Sequence, residues 1–330
     1  MKTILVTGGG GFIGSNLVAG LLERGSHHVV VCDTFGLNEK WRNLSKHPVF
    51  EIIPPEQMFE WLEFNKQHID LIYHTGGTAS TVEKNIDLML KNNFTLSLKL
   101  WRWCTARGIR LVYTSSYSTY GDGKQGFDDN IDLAYMQSLR PLNGYGWSKH
   151  LFDMHVAGCA ARKECALPQW VALKLFNVYG PNEYHKEDQK SVLSNVALHA
   201  VQGGNVRLFR SYHPDYPNGG QKRDFIYIKD TVRALLWLLD NPAVSGMFNL
   251  GTGKASTFNE MAAALYDALG REPNIHYIDM PEDLVKKYQY FTEAKIDRLR
   301  AAGYKETFTP LAAGIKDYVQ NYLLKDDHYL

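Results

Sequence analysis

A chain of 330 residues is long enough to bury one large core or two closely packed ones. Its 36 basic side chains nearly balance 35 acidic ones, which disfavours a nucleic-acid or anionic-membrane partner. No segment approaches the ~18–20 continuous apolar residues of a membrane span, and the N-terminal apolar run is too short for a signal peptide. We therefore expect a cytoplasmic protein that binds neither nucleic acid nor membranes.

The first half of the chain alternates short apolar runs with amphipathic helical patterns, which is typical of βαβ units. We predict strands at residues 3–7, 29–32, 71–74, 111–115, 171–176, 224–228 and 247–250. We predict helices at residues 13–24, 86–107, 145–161 and 229–239. These elements indicate the α/β class, with a doubly wound parallel sheet of the Rossmann type.

Two segments, 181–222 and 254–330, show less regular patterns. They contain predicted helices at 192–201 and 259–269, a strand at 275–279 and a loop rich in proline and glycine at 212–220. We expect them to form a smaller, mainly helical lobe. Residues 1–180, with residues 223–253 returning to them, would form the larger domain.

The cysteine pattern offers no sign of a metal site. Cys32, Cys104, Cys159 and Cys165 form no C-x-x-C pair, and no paired histidines accompany them. We therefore predict no bound metal, and we expect reduced thiols rather than a disulfide framework.

Glycines recur at every third position directly after the first predicted strand, at Gly8, Gly11 and Gly14. One permits a tight turn, one lets the backbone approach a pyrophosphate, and one lets helix and strand pack closely. At the start of an amphipathic helix this spacing indicates a nicotinamide dinucleotide site, with Phe12 and Ile13 among its contacts. The larger domain would then bind the dinucleotide, and the smaller lobe would bind the substrate.

The end of the second predicted strand bears on the choice of cofactor. Asp33, followed by Thr34, stands where an acid accepts hydrogen bonds from the adenosine ribose, which favours NAD. Lys40 and Arg42 follow shortly and could neutralise a 2′-phosphate, which would favour NADP. The residues alone leave both cofactors open.

Tyr145 and Lys149 stand four residues apart on a predicted helix, so they share one face. We expect the lysine charge, together with the positive nicotinamide, to lower the pKa of the phenol. Ser116 ends a predicted strand and offers a hydroxyl for the oxygen that is oxidised or reduced. These three side chains are the predicted catalytic group.

In these motifs the chain resembles the extended short-chain dehydrogenase/reductase family, over essentially its whole length. The glycine turn, the Ser–Tyr–Lys group and the segments 175–181 and 223–228 carry the resemblance. It implies that Asn92 lies near the cofactor, that Asn177 leads into the substrate pocket and that Arg223 reaches the substrate nucleotide. It also implies a homo-oligomer.

Four segments narrow the resemblance to the heptose 6-epimerases of that family, which act on an ADP-linked manno-heptose. These segments are residues 177–186, 248–253, 288–294 and 299–304. The resemblance implies inversion of C6″ by transient oxidation and re-reduction, with Tyr145 on one side of the carbon and Lys186 on the other. It also favours NADP, through Lys40, over NAD, and it implies substrate contacts at Phe209 and Tyr288.

The chain departs from that pattern at a few positions. Asp188 and Asn195, which we include among the substrate contacts, replace a serine and a histidine, and Thr75 replaces a glutamate. A carboxylate such as that of Asp188 is unfavourable near a diphosphate unless Lys186 or Lys190 offsets its charge. These changes bear on the identity of the sugar and the nucleotide more than on the reaction type.

Two other functions fit the same fingerprint. A 4-epimerase of a UDP- or GDP-hexose shares the catalytic group but needs no second base such as Lys186. A non-catalytic dinucleotide sensor would keep the glycines and lose the Tyr145–Lys149 pair. A 4,6-dehydratase is disfavoured, because Tyr117 and Ser118 follow Ser116 where those enzymes carry Asp-Glu.

Overall fold

The computed structural model describes residues 2–81, 83–285 and 288–330, without the side chains of Glu187, Asp188 and Asp283. The strands are β1 (Thr3–Thr7), β2 (His28–Cys32), β3 (Glu51–Ile53), β4 (Ile69–His74), β5 (Arg110–Ser116), β6 (Trp170–Leu175), β7 (Asn177–Tyr179), β8 (Val206–Phe209), β9 (Lys222–Arg223), β10 (Phe225–Tyr227), β11 (Gly246–Leu250), β12 (Ser256–Thr257) and β13 (Ile275–Ile278).

The α-helices are α1 (Phe12–Arg24), α2 (Met58–Asn65), α3 (Ile86–Met89), α4 (Leu96–Arg107), α5 (Leu133–Ser138), α6 (Gly144–Ala161), α7 (Val192–Val201), α8 (Ile228–Asp240), α9 (Phe258–Leu269), α10 (Glu282–Val285), α11 (Asp297–Ala301) and α12 (Leu311–Tyr318). Short 3-10 helices occupy Glu39–Leu44, Pro55–Gln57, Tyr117–Tyr120 and Tyr184–Gln189, and π-helical turns occupy Leu90–Thr95 and Val319–Leu323.

Seven parallel strands form the central sheet, in the order β11-β6-β5-β4-β1-β2-β3. The order reverses between β1 and β4, and ligands of open α/β sheets bind at such a switch point. Both faces of the sheet are covered. The helices α2, α4 and α6 contribute to the apolar core on one face, and α1, α8 and α11 contribute to the core on the other. The predicted Rossmann-type sheet is confirmed.

A third apolar core lies outside the central sheet, where α7, α9 and α12 pack together with the short β8 and β13. The chain enters α9 through a complete capping box, in which Thr257 and Glu260 each accept from the other's backbone N–H. Residues 223–253 supply β11 to the central sheet and α8 to one of its two faces. In the described part of the chain, none of the helices has the length and apolar character that a membrane crossing requires.

The strand predicted at residues 224–228 is partly wrong. Only Phe225–Tyr227 is extended, it pairs with β7 rather than with the central sheet, and α8 already begins at Ile228. The edge strand β3 was not predicted; it is only three residues long, and two of its side chains are exposed. The predicted helix 86–107 is interrupted by a π-helical turn that contains Asn92, and such turns are frequent at functional sites.

Candidate active site

The glycine turn lies at the end of β1, at the switch point of the sheet. Gly8 has φ +68°, in the left-handed region that favours glycine. A Cβ on Gly14 would lie 2.2 Å from the carbonyl oxygen of Gly8, so the close packing of α1 on the turn requires glycine there. The amino terminus of α1, with its unpaired backbone N–H groups, thus adjoins the end of β1. This arrangement suits a bound pyrophosphate.

A cleft of about 990 Å³ opens beside this turn. It is bounded by residues that follow β1, β2 and β4, by the π-helical turn after α3 and by the 3-10 helix Tyr184–Gln189. The predicted site residues that line it are Gly8, Gly11, Phe12, Ile13, Gly14, Asp33, Thr34, Lys40, Asn92 and Lys186. A cleft of this size is typical of small-molecule sites, and its glycine wall fits a dinucleotide.

Asp33, directly after β2, has both carboxylate oxygens engaged. One accepts a hydrogen bond from the backbone N–H of Gly10 at 2.9 Å, and the other accepts from the Lys40 ammonium at 2.7 Å. Arg42 instead packs on a tyrosine ring of the C-terminal segment. Of the two cations considered from the sequence, Lys40 is therefore the one at the cleft.

Tyr145, Lys149 and Ser116 come together at the carboxyl end of β5. The Lys149 ammonium, on a residue that is 8% exposed, donates to the carbonyl oxygen of Thr114 at 3.0 Å. It lies 3.6 Å from the position that a Cβ on Gly77 would take, and Gly77 lines the cleft. The Ser116 hydroxyl lies close enough to the Tyr145 phenol to lower its pKa. The three predicted catalytic side chains thus form one group beside the cleft.

Burial governs the pKa values of Tyr145 and Lys149. It raises the pKa of the phenol to about 12, and the Ser116 hydroxyl only partly opposes this rise. Burial also lowers the pKa of Lys149 to about 8, although Asp153 attracts the ammonium. Desolvation thus penalises both charged forms, and Lys149 is not among the groups that shift the pKa of the phenol. A phenol made acidic by Lys149 together with the positive nicotinamide stays a prediction. An acidic phenol here requires a further cation beside it, such as an oxidised nicotinamide ring.

Asp153 and Lys174 form a fully buried ion pair that sequence reasoning missed. Their charged atoms are 2.6 Å apart, and both side chains are 0% exposed. Asp153 also accepts hydrogen bonds from the hydroxyls of Tyr113 and Ser115, at 3.0 and 2.6 Å. Two features of the sequence could have indicated this pair: a carboxylate four residues after Lys149, and a lone lysine within an apolar strand. This pair ties α6 to β5 and β6.

Lys186 lies on the 3-10 helix Tyr184–Gln189 and lines the cleft from the segment assigned to the smaller lobe. Its ammonium is 4.3 Å from the centroid of the Phe12 ring, at the first residue of α1. Burial lowers the pKa of Lys186, while attraction to Glu183 partly opposes the change. An ammonium of lowered pKa is suited to proton transfer near neutral pH.

Three predicted substrate residues, Phe209, Arg223 and Tyr288, form one cluster. The Arg223 guanidinium lies 5.3 Å from the centroid of the Tyr288 ring, and that ring meets Phe209 edge-on at 6.3 Å. Aromatic rings beside a guanidinium offer a stacking surface for a nucleotide base.

Two other predicted substrate residues, Asn177 and Asn195, make hydrogen bonds within the protein. The amide of Asn177 donates to the carbonyl oxygen of Asp224 and to the hydroxyl of Thr292, both at 3.2 Å, and so ties β7 to neighbouring segments. The amide of Asn195 donates to the carbonyl oxygen of Lys190 at 3.3 Å. The side chain of Asp188 lies outside the described part of the structure. Contact of these three residues with a substrate stays a prediction.

The comparisons with known proteins agree with this site. The model of the NAD dependent epimerase/dehydratase family matches residues 4–251. A protein of Nitratidesulfovibrio vulgaris (strain DP4) named ADP-L-glycero-D-manno-heptose-6-epimerase is 46% identical over 328 residues, 99% of each chain.

Two solved structures are similar to this chain over nearly its whole length. A Helicobacter pylori protein named ADP-L-glycero-D-manno-heptose-6-epimerase has a TM-score of 0.79 at 30% identity, covering 97% of this chain and 96% of that one. The Thermus thermophilus UDP-glucose 4-epimerase, in complex with NAD, has a TM-score of 0.76 at 25% identity, covering 96% and 98%. The resemblance drawn from the sequence is confirmed. The chain belongs to the NAD dependent epimerase/dehydratase family.

Proposed function

We propose that this chain is an ADP-L-glycero-D-manno-heptose 6-epimerase, which inverts C6″ of an ADP-linked manno-heptose. The position of Lys186 carries the proposal: its ammonium lines the cleft of the glycine turn, and the Tyr145–Lys149 pair lies beside the same cleft. Inversion needs a proton-transfer group on each side of the carbon, because one base cannot reach both faces unless the sugar reorients completely. The relatives that carry this name support the choice of substrate.

The chain's residues fit a nicotinamide dinucleotide, which when bound accepts and returns a hydride, so that it is unchanged overall. The glycine turn and the amino terminus of α1 would hold its diphosphate. Asp33, Thr34 and Lys40 would contact the adenosine ribose. Asn92 and the Tyr145–Lys149 pair would contact the nicotinamide end. Asp33, Thr34, Lys40 and Asn92 line the cleft, and the Lys149 ammonium lies beside Gly77, which also lines it; these positions support the assignment.

The proposed proton transfers use two separate groups. On one side of C6″, Tyr145 removes the proton from the substrate hydroxyl, and the Ser116 hydroxyl hydrogen-bonds the same oxygen. The positive charge of Lys149 stabilises the phenolate that this requires. On the other side, Lys186 exchanges a proton with the C6″ oxygen of the opposite epimer. The roles of Tyr145 and Lys186 are reversed when the reaction runs backwards.

We propose NADP rather than NAD as the resident cofactor. Lys40 lies 2.7 Å from Asp33 and so offsets the charge that would repel a 2′-phosphate. Titration of the cofactor-free protein, followed by its intrinsic fluorescence, tests this choice. Lys40→Ala should weaken NADP binding about tenfold, the size of one charge-assisted hydrogen bond, and should change NAD binding little. Arg42→Ala is the matched control, and an equal loss for both cofactors with Lys40→Ala would contradict the proposal.

We place the substrate nucleotide on the cluster of Arg223, Tyr288 and Phe209, where a base can stack beside a guanidinium. Asn177, Asp188 and Asn195 remain proposed contacts of the sugar and diphosphate. Arg223→Ala should raise KM for the substrate while leaving cofactor affinity unchanged.

The decisive experiment offers the purified protein ADP-linked manno-heptose and ADP-, GDP- and UDP-linked hexoses side by side, and follows each by proton NMR. We expect interconversion of the two C6″ epimers of the ADP-linked heptose without net release of reduced dinucleotide. An unchanged heptose spectrum would contradict the proposal. Epimerisation at C4 of a UDP- or GDP-hexose would instead establish the alternative.

We also propose that the enzyme works as a homo-oligomer in the cytoplasm. The family resemblance supports the assembly, and the free thiols of all four cysteines fit a reducing compartment. Light scattering of the purified protein tests the assembly, and the mass of a single chain would contradict it.

A further inference from the structure

The turn that precedes Lys186 is tied to the glycine turn by a buried asparagine. Asn182 is 0% exposed and has φ +74°, an uncommon conformation that asparagine tolerates. Its amide nitrogen donates to the Ser15 hydroxyl on α1 at 3.0 Å, and its amide oxygen accepts from the backbone N–H of Leu330 at 3.0 Å. One side chain therefore connects α1, the turn before Lys186 and the C-terminal segment.

A second buried asparagine joins the same elements from the other side. The amide nitrogen of Asn43 lies 2.9 Å from the carbonyl oxygen of Gly10 and 3.1 Å from that of Asn182. It is also 3.2 Å from Nδ1 of His185, the residue next to Lys186. The amide oxygen of Asn43 is buried and has no hydrogen-bond partner in the described structure.

The C-terminal residues form a second layer over this network. The Lys46 ammonium donates to the carbonyl oxygen of Tyr329 at 2.7 Å, and the Tyr184 hydroxyl donates to that of His328 at 3.1 Å. The rings of Tyr184 and Tyr329 meet edge-on at 5.2 Å. These contacts hold Leu330 where it donates to Asn182.

We propose that Asn43 and Asn182 are positioning residues, which fix the ammonium of Lys186 relative to the glycine turn. The inference rests on the proposed role of Lys186 in proton transfer. Lys186 stands on a six-residue 3-10 helix. The two amides couple the turn before this helix to α1 and to the glycine turn, beside the bond from the Asn16 amide to the carbonyl oxygen of Pro181. A displacement of about 1 Å can cost about 100-fold in rate.

Asn182→Gly is the sharpest test, because glycine keeps the left-handed conformation while removing the side-chain hydrogen bonds to Ser15, Asn43 and Leu330. We expect kcat for C6″ epimerisation to fall about 10- to 100-fold, with KM and cofactor affinity changed less than about twofold. Asn43→Ala should act in the same direction through the other amide. Asn241→Ala is the matched control, because it removes a similar amide-to-carbonyl bond, to Trp237, near the opposite edge of the sheet.

A second readout separates positioning from a general loss of structure and needs no substrate. The pH dependence of Lys186 acylation by a small amine reagent, read by mass spectrometry, reports the pKa of this lysine. In Asn182→Gly this pKa should rise toward the ordinary lysine value, since a displaced ammonium becomes more hydrated, and Glu183 is left in place.

The two readouts together decide the inference. An unchanged kcat, or a lower kcat with an unchanged acylation profile, would overturn it. If the wild-type protein epimerised no heptose, the proposed function would fail, while the acylation profile would still show whether the amides position Lys186.

Discussion

The two proposed proton-transfer groups stand on different kinds of structure. Tyr145 and Lys149 lie on an 18-residue helix that the buried pair of Asp153 and Lys174 fastens to the central sheet. Lys186 lies on a six-residue 3-10 helix held by side-chain amides and by the C-terminal segment. The two regions share one electrostatic feature, because burial lowers the pKa of both lysines.

Chemistry that a whole family shares can therefore rest on one helix face, whereas chemistry of a single branch can be added on a separate element. A tyrosine and a lysine on one helix face need only local spacing and a packed helix. A second group on the far side of the substrate needs a separate element, whose position depends on long-range contacts. Four expected results test whether the Tyr145–Lys149 side and the Lys186 side differ in this way.

The largest effect is expected on the helical side. Tyr145→Phe should lower turnover about 1,000-fold, since it removes a proton-transfer group, while dinucleotide binding measured by fluorescence stays intact. Tyr135→Phe, which alters a half-buried phenol on α5, is the control. Retention of more than a tenth of the turnover would remove Tyr145 from its role. Turnover in the wild type that is lost in Tyr145→Phe would also exclude the sensor alternative.

The role of the Asp153–Lys174 pair in holding α6 on the sheet can be tested by measuring the stability of the fold. Lys174→Met leaves the Asp153 carboxylate buried and unpaired, so the free energy of unfolding should fall by about 3–5 kcal/mol in chemical denaturation. Lys229→Met breaks a half-exposed pair with Asp317 of similar length, 2.7 Å, and should cost at most about 1 kcal/mol. Equal losses in the two variants would show that burial does not distinguish these pairs.

The depressed pKa of Lys149 predicts a specific dependence of stability on pH. Folded Lys149 loses its proton near pH 8, whereas the unfolded side chain keeps it to about pH 10.5. Between these values the unfolded chain binds more protons, so wild-type stability should rise with pH relative to Lys149→Met, by on the order of 3 kcal/mol in total. Below pH 8 the difference should be flat. A difference that is flat across the whole range would show that Lys149 is not desolvated.

A smaller effect is expected on the Lys186 side. Lys186→Met should lower C6″ epimerisation about 100-fold with little change in cofactor affinity, and Lys190→Met on the same segment is the control. Wild-type turnover in Lys186→Met would leave Tyr145 as the sole base and would favour the 4-epimerase alternative.

Local patterns in the sequence determined much of the fold and part of the site. Six of the eight predicted strands lie in the central sheet, because buried parallel strands give short apolar runs that need no knowledge of their neighbours. The glycine turn and the Tyr145–Lys149 spacing are likewise local. Each motif fits within one strand–turn–helix unit or one helix face, so spacing alone indicates its geometry.

Features that depend on distant residues and on burial become visible only in the three-dimensional structure. The raised pKa of Tyr145 comes from desolvation that the whole site imposes. The pair of Asp153 and Lys174 joins a helix to a strand 21 positions away, and Asn43 meets Asn182 across 139 positions. Such contacts leave no periodic trace in the sequence, because their partners are brought together by packing rather than by spacing.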